Sequence, residues 1–597
     1  MSAFALILNF DGAPVDPARF ARMSRWLKRR ALEGSSTFAA AGFAAMRAHF
    51  EPGLECAASG LDGDQSLFFD GWLAEPLQGS SDHDSVRAAL SLKNGARALP
   101  GLIGSFALAF IDPARQQLLL ARDALGVRTL FYRFTGSGVE VASEPMALVV
   151  ADPAPPALNE CFIAHQLALR AGVPNQTGFA GIHELPPGHF LTLSRDGQSD
   201  PVRYWAPPTG LMHGRSLDDY AEGYRSHLAQ AVHSASRGIG RFALTLSGGM
   251  DSGSVLLMLK AQGLAQRLAT TITYVFSELS GADERAYALA TRAQCASKAR
   301  LIVADTLWPL RADRDFPLSA NVPIFNPYGL IKRAVNQAAL DAGAAVILTG
   351  TFGDHLYPPA YSWLEDAIAQ GDWAYAAKAL FADVRNERYR FWMSAGLRRA
   401  GRRWLLADRI KAYTPPWLTA QALAHIDPYS LLLAGHRGHR RLATGLVAAQ
   451  DCSGEAFFSE HDGVQWRNPF RDQRLVDYCL QIPAHFSYRD GIKKAYARQA
   501  LRGEMPEFTR LRVRKTSLIE IYRRGVLHQE SAQIKALFDA PDALWRGYLS
   551  PQFVAAGAMG ARVSESDEAV LWLTVCVELW WRRALQEHRA AQQAAPQ

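Results

Sequence analysis

The chain has 597 residues with 49% hydrophobic and 20% charged content, a globular balance that excludes a wholly disordered or low-complexity protein and predicts roughly two to four domains. A net charge of +7 at pH 7 is too dilute over this length to indicate a nucleic-acid-coating protein. The longest apolar stretches, Leu102–Ile111 and Val570–Val577, fall short of a bilayer span, and Met1-Ser2-Ala3-Phe4 lacks the basic region of a signal peptide. The cysteines form no Cys-x-x-Cys pair, so the expectation is a cytoplasmic protein with reduced thiols.

In chain order, Phe4–Phe10, Gly104–Ile111, Gln117–Arg122, Leu130–Phe134, Val139–Ser143 and His189–Ser194 read as short strands punctuated by Gly, Pro and Asp. Pro- and Gly-rich composition at Pro201–Gly214 marks a boundary, placed between a β-rich domain over 1–208 and a second domain over 209–597. From Ser216 the period becomes helical. Buried-strand runs at Arg241–Leu246, Thr270–Phe276, Ala299–Ala304 and Ala345–Leu348 alternate with helices, which predicts βαβ units and a parallel sheet.

The segment Leu244-Thr245-Leu246-Ser247-Gly248-Gly249-Met250-Asp251-Ser252 runs from an apolar strand through a turn of small residues into a helix. Glycines admit close approach of an anion, successive N–H groups point into the turn, and the helix N-terminus adds its positive dipole end. Ser247 and Ser252 offer hydroxyl donors. A carboxylate beside phosphates is repelled unless a divalent cation intervenes, which assigns Asp251 to Mg²⁺; the plainer alternative has Asp251 and Ser252 capping the helix.

This loop resembles the pyrophosphatase loop of ATP-pyrophosphatases, and its surroundings resemble the asparagine-synthetase-like amidotransferases. The matching segments are Asp283-Glu284-Arg285-Ala286-Tyr287-Ala288, Leu348-Thr349-Gly350-Thr351-Phe352-Gly353-Asp354, Arg467-Asn468-Pro469-Phe470-Arg471-Asp472, Lys494 through Arg502, and Arg514-Lys515. In the first half, Ala121-Arg122-Asp123, Ser143-Glu144-Pro145 and Glu184-Leu185-Pro186-Pro187-Gly188 resemble the glutaminase-type domain. The resemblance implies an Ntn-hydrolase-like β-rich domain followed by a parallel-sheet synthetase domain with a helical insertion about 356–463. It further implies Mg²⁺ held by Asp251 and Asp354, and charge stabilisation during catalysis by Lys515. Nucleotide contacts would come from Leu246, Ser247, Gly248, Gly249, Asp251, Ser252, Val275 and Gly350, with Tyr274 beside Val275 on the adenine strand.

The family's glutaminase nucleophile is a cysteine directly after the initiator methionine, whereas this chain has Ser2, a far weaker nucleophile at neutral pH. Ammonia release from glutamine is therefore not expected. Thr351, His355 and Gln465 depart from the acceptor-side patterns of asparagine and β-lactam synthetases and leave the general base unassigned. The span after Asp354 is long, aromatic and basic (Arg388, Arg398, Arg402, Arg409), which reads either as a solvated surface or as a docking surface for an acidic peptide or protein. Tyr413-Thr414-Pro415-Pro416-Trp417-Leu418 resembles lasso-peptide cyclases. The implied activity is ATP-dependent macrolactam formation within a precursor peptide, with a leader peptidase as partner, no nucleic acid and no membrane span. A small-molecule lactam synthetase and an inactive scaffold are the alternatives.

Overall fold

The computed structural model describes residues 3–30, 34–48, 66–75, 95–112, 117–169, 175–195, 197–295, 297–357, 371–385, 415–426, 462–489, 492–513, 516–558 and 564–594, with isolated positions between 78 and 90 and at 457. Ser2, Arg514, Lys515, Tyr413-Thr414, the arginines from Arg388 to Arg409, and most of the predicted helical insertion lie outside these residues.

Antiparallel pairing organises the first part. Strands β1 (Ala3–Asn9), β2 (Ser35–Ala40), β3 (Phe43–Ala48), β4 (Ser66–Leu73), β5 (Gly104–Asp112), β6 (Gln117–Arg122), β7 (Phe131–Phe134), β8 (Gly138–Ala142), β9 (His183–Glu184), β10 (His189–Ser194), β11 (Gly197–Gln198) and β12 (Val202–Arg203) form two sheets. Their orders are β2-β3-β1-β8-β7-β9 and β11-β10-β6-β5-β4, with β12 against β10. Side-chain alternation builds the layers. Phe4 and Leu6 of β1 face the second sheet in a core with Leu118, Leu120 and Val139. Ala3, Ala5 and Ile7 face α1 (Pro17–Lys28), α2 (Pro145–Ala151) and α3 (Glu160–Leu167). β1 is thus buried on both faces, which is why it reads as an unbroken apolar run.

Helix α4 (Leu217–Ser236) opens the second part with a capping box in which Ser216 and Asp219 satisfy each other's backbone N–H. Then β13 (Phe242–Thr245), α5 (Met250–Ala261), β14 (Leu268–Val275), α6 (Arg285–Arg292), β15 (Ala299–Val303), α7 (Gly329–Asp341), β16 (Val346–Leu348) and β17 (Gln465–Arg467) form a parallel sheet ordered β15-β14-β13-β16-β17. Ala243 and Ile347 pack toward Val335 and Ala339 of α7, while Phe242 and Leu244 pack toward α4 and α5. The architecture is mixed α/β: two antiparallel sheets followed by a parallel sheet flanked by helices, the order that the resemblance implies.

The two parts share one core. In the long helix Glu565–Gln593, Trp572 and Trp580 donate to the carbonyls of Phe325 and Ala320 at 3.0 and 2.9 Å. Further along the same helix, Gln592 reaches the carbonyls of Val150 and Asp152. Trp417 donates to Leu167 O at 2.9 Å and Leu418 bridges to Leu549, so this end of the lasso-cyclase-like segment is buried in the joint core rather than displayed for docking. At the other end of the joint, Trp72 of β4 lies beside two guanidinium groups, Arg467 at 4.3 Å and Arg128 at 5.0 Å from its ring centroid. Arg237 donates to Leu73 O and to Asp82 at 2.7 and 2.6 Å. No disulfide joins the described cysteines.

A Cβ at Gly178 would sit 2.6 Å from the Trp580 ring. Gly178→Ala is therefore expected to destabilise the protein by about 1–3 kcal/mol through overpacking, read as a lower midpoint in urea denaturation.

Candidate active site

In an open parallel sheet, ligands bind at the carboxyl ends of the strands where the strand order reverses. Here that point lies between β13 and β16, paired through Ala243↔Ile347 and Leu244↔Leu348. Neighbouring strands are about 4.8 Å apart, so the loops that follow them must meet. Both predicted acidic loops are these two.

The first loop leads from Leu246 into α5. Leu246 itself is committed to the sheet: its N–H donates to Ile272 O at 2.9 Å and its carbonyl accepts from the Thr273 hydroxyl at 2.7 Å. Gly248 adopts φ +70, and a Cβ there would lie 2.8 Å from Glu284 O, so only glycine lets the turn pass. The Ser247 N–H donates to Ser252 Oγ at 3.2 Å, closing the loop on itself. Gly249 is the N-cap and supplies no side-chain cap, which leaves the first-turn N–H groups of α5 for an anion. Helix capping by Asp251 is thereby excluded, and Ser252 serves the loop.

The second loop packs backbone to backbone on the first. A Cβ on Gly350 would fall 2.3 Å from Ser252 N, and one on Gly353 would fall 2.6 Å from the Asp251 carboxyl carbon. Phe352, between them, takes a left-handed φ of +68 at a cost of roughly 1–2 kcal/mol. Its ring is held by the Arg471 guanidinium 4.7 Å from the centroid.

Asp251 and Asp354 converge on Lys494, a residue of the family-like segment to which the resemblance assigns no role of its own. Lys494 Nζ lies 2.6 and 2.7 Å from the Asp251 oxygens and 2.8 Å from Asp354 Oδ1. Burial alone would lower the ammonium's pKa, but the two carboxylates outweigh it and hold it above the usual lysine range. Lys494 also sits in the left-handed region, at φ +62, 4.8 Å from the Tyr357 ring centroid. A lysine at a left-handed turn heading α8 (Ala495–Ala500) carried no sequence cue that it would reach residues so far back in the chain.

Among the described residues no group of three or more His, Cys, Asp or Glu side chains forms a metal cluster. Two aspartates joined through one ammonium fit Mg²⁺, which takes few protein carboxylates and completes its shell with phosphate and water. Of the residues that the resemblance assigns to adenine, Val275 is buried in β14, and burial pushes the Tyr274 hydroxyl up to about 12, keeping it protonated.

The flanks of Lys515 are tied to this site. Glu284 accepts from Arg512 Nη2 at 2.7 Å and from the Thr516 hydroxyl. Arg498 donates to the carbonyls of Arg510 and Arg512, the latter at 2.8 Å. The candidate acceptor residues separate. Thr351 is exposed and accepts from Asn468 Nδ2 at 2.9 Å. His355 is exposed, its N–H bonded to Phe352 O. Gln465 is fully buried and accepts from Arg467 Nε at 3.0 Å, a partner of the interdomain arginine rather than a group facing the acidic pair.

The sequence pattern of the asparagine synthase family matches residues 223–582, and that of a glutamine amidotransferase domain matches residues 73–205. "Amidase chry2" of Gibberella zeae is 28% identical over 313 residues, 50% of this chain and 46% of that protein. "Amidase chyE" of Penicillium rubens is 27% identical over 316 residues, 51% of this chain and 46% of that protein. "Asparagine synthetase [glutamine-hydrolyzing] 3" of Bacillus subtilis is 25% identical over 432 residues, 68% of this chain and 66% of that protein. The chain spans about half the length of the fungal relatives it matches.

Because Gly350 touches the start of α5, Gly350→Ala is expected to weaken ATP binding at least about tenfold by calorimetry, while Thr351→Ala, one residue on but exposed, leaves it within about twofold.

Proposed function

The chain belongs to the asparagine synthase family, and from that premise we propose that it is an AMP-forming, ATP-dependent amide ligase that closes a macrolactam in a peptide. The observation that carries the ligase reading is the convergence of Asp251, Asp354 and Lys494 beside the uncapped glycine turn at the start of α5. The family's cysteine nucleophile is replaced by Ser2, so the amine comes from the substrate rather than from glutamine. The lengthened span after Asp354 and the Tyr413–Leu418 resemblance support a peptide of the lasso class.

In this reading the Ser247–Ser252 turn and the α5 N-terminus bind the phosphates, Gly350 lets the second loop close on them, and Val275 and Tyr274 flank the adenine. Asp251 and Asp354 hold Mg²⁺, which when bound supplies positive charge to the phosphates. An Asp or Glu side-chain carboxylate of the peptide attacks the α-phosphorus, and pyrophosphate leaves. The peptide's α-amine then attacks the acyl carbon, AMP leaves, and one proton is released. Lys494 and Lys515 offset negative charge as pyrophosphate departs. Holding both peptide ends together removes the chain-entropy cost of closing the ring from the chemical step. A leader peptidase would supply the free α-amine.

A second reading is a small-molecule amide or lactam synthetase; the two fungal relatives are named amidases, a name that points to amide chemistry and specifies no peptide.

Incubation of a leaderless core peptide bearing an Asp or Glu acceptor with Mg²⁺-ATP is expected to give AMP and a peptide lighter by one water in mass spectrometry, both absent with Asp251→Ala. AMP without dehydrated peptide would favour the small-molecule reading, and neither product would favour a scaffold. Glutamine is expected to give no ammonia above background in a coupled glutamate assay, and turnover lost in Ser2→Ala would contradict that.

A further inference from the structure

The outer edge of the synthetase sheet is the strand β15, which among the described residues pairs with β14 alone. Edge strands of parallel sheets expose a row of N–H and C=O groups that another strand can complete. Alternation sorts the side chains of β15. Ile302 packs toward Val335 and Ala338 of α7, which places Leu301 and Val303 on the opposite face. There they are 45% and 60% exposed, well beyond what a strand inside an α/β sheet leaves open. Lys298 and Arg300, both exposed, have no acidic partner among the described residues. The carboxylate that follows, Asp305, is buried and occupied by the N–H groups of Ser277, Glu278 and Leu279.

The strand's direction links this edge to the catalytic chemistry. β15 runs parallel to β14, with Val303 opposite Val275, so its carboxyl end lies at the same edge of the sheet as the ATP loop. At about 4.8 Å per strand, a strand added outside β15 would lie roughly 14 Å from β13, a distance some five extended residues cover.

We infer that β15 is the docking edge for the substrate peptide, which adds an extended segment of alternating apolar and acidic residues as a sixth strand. The apolar residues lie over Leu301 and Val303, and the acidic ones face Lys298 and Arg300. Charge complementarity selects this occupant: a neutral or basic strand would leave two cations uncompensated beside a desolvated ladder. The inference rests on the peptide-ligase reading for the identity of the occupant, while its binding test does not depend on turnover.

The probe is a fluorescein-labelled peptide of roughly eight alternating Val and Asp residues, with an alternating Val and Lys peptide of equal length as control, titrated onto the full-length protein by fluorescence polarisation. The Val-Asp peptide is expected to bind at least about tenfold more tightly, and the double variant Lys298→Glu, Arg300→Glu should invert that preference. N-methylation of every second amide in one register should abolish binding, because the ladder cannot form. With a linear core peptide that the wild-type protein cyclises, the double variant should raise KM and leave kcat and the melting temperature unchanged. Equal binding of the two peptides to wild type, or a preference unmoved by charge reversal, would overturn the inference. Charge-dependent binding without AMP from any peptide would keep the docking edge and remove the ligase reading instead.

Discussion

Two carboxylates brought face to face repel one another, and the site exists because a buried cation stands between them. Lys494 bonds both Asp251 and Asp354, one from each loop beyond the β13–β16 pair. That single ammonium reconciles the strand spacing, which forces the loops together, with their like charge. The rest of the local geometry follows. Gly350 and Gly353 have no side chain because the first loop occupies that space, and Phe352 and Lys494 tolerate left-handed backbones because packing on Arg471 and Tyr357 holds them there.

The glutaminase-like part is bound into the synthetase rather than tethered to it. Arg467 reaches Trp72 with its guanidinium, while its own carbonyl accepts from Thr349 N–H at 3.1 Å. The next residue, Asn468, holds Thr351. A contact between the two parts therefore continues within three residues into the loop that carries Asp354. At the far end Glu144 gathers Arg30, Trp26 and Asn321, joining the first sheet and its helix to the segment that supports Trp580. A domain that has Ser2 where the family carries its cysteine thus still has a physical role, since removing it would strip Trp72 from the arginine beside the acidic loop and Glu144 from Asn321.

The segment leading to Lys515 is held by polar staples as well as by Phe508 and Arg512 against the Tyr287 ring. Arg498 fixes its backbone at Arg510 and Arg512, and Glu284, whose own carbonyl touches the Gly248 turn, fixes Arg512 and Thr516. Polar staples on an exposed segment, with Phe508, Leu511 and Val513 open to solvent, give a local stability below that of the sheet core.

The sequence by itself determined the glycine turn, the strand–turn–helix around Asp251, and the alternation of strands and helices beyond Ser216, since each is written in a run of contiguous residues. The strands β5, β6, β8, β10 and β13 to β16 lie within about two residues of their sequence-based limits for the same reason. It did not disclose β2 and β3, whose Ser35-Ser36-Thr37-Phe38-Ala39-Ala40 and Phe43-Ala44-Ala45-Met46-Arg47-Ala48 are too rich in alanine and serine to read as strands; β3 is extended because it pairs with β1, and β2 because it pairs with β3. Nor did it reveal Lys494 as the partner of both aspartates, the burial of Gln465 against Arg467, or the placing of Trp417 in the joint core. Those contacts join residues far apart in the chain, and only strand order and the packing of one sheet beside the other decide which side chains meet.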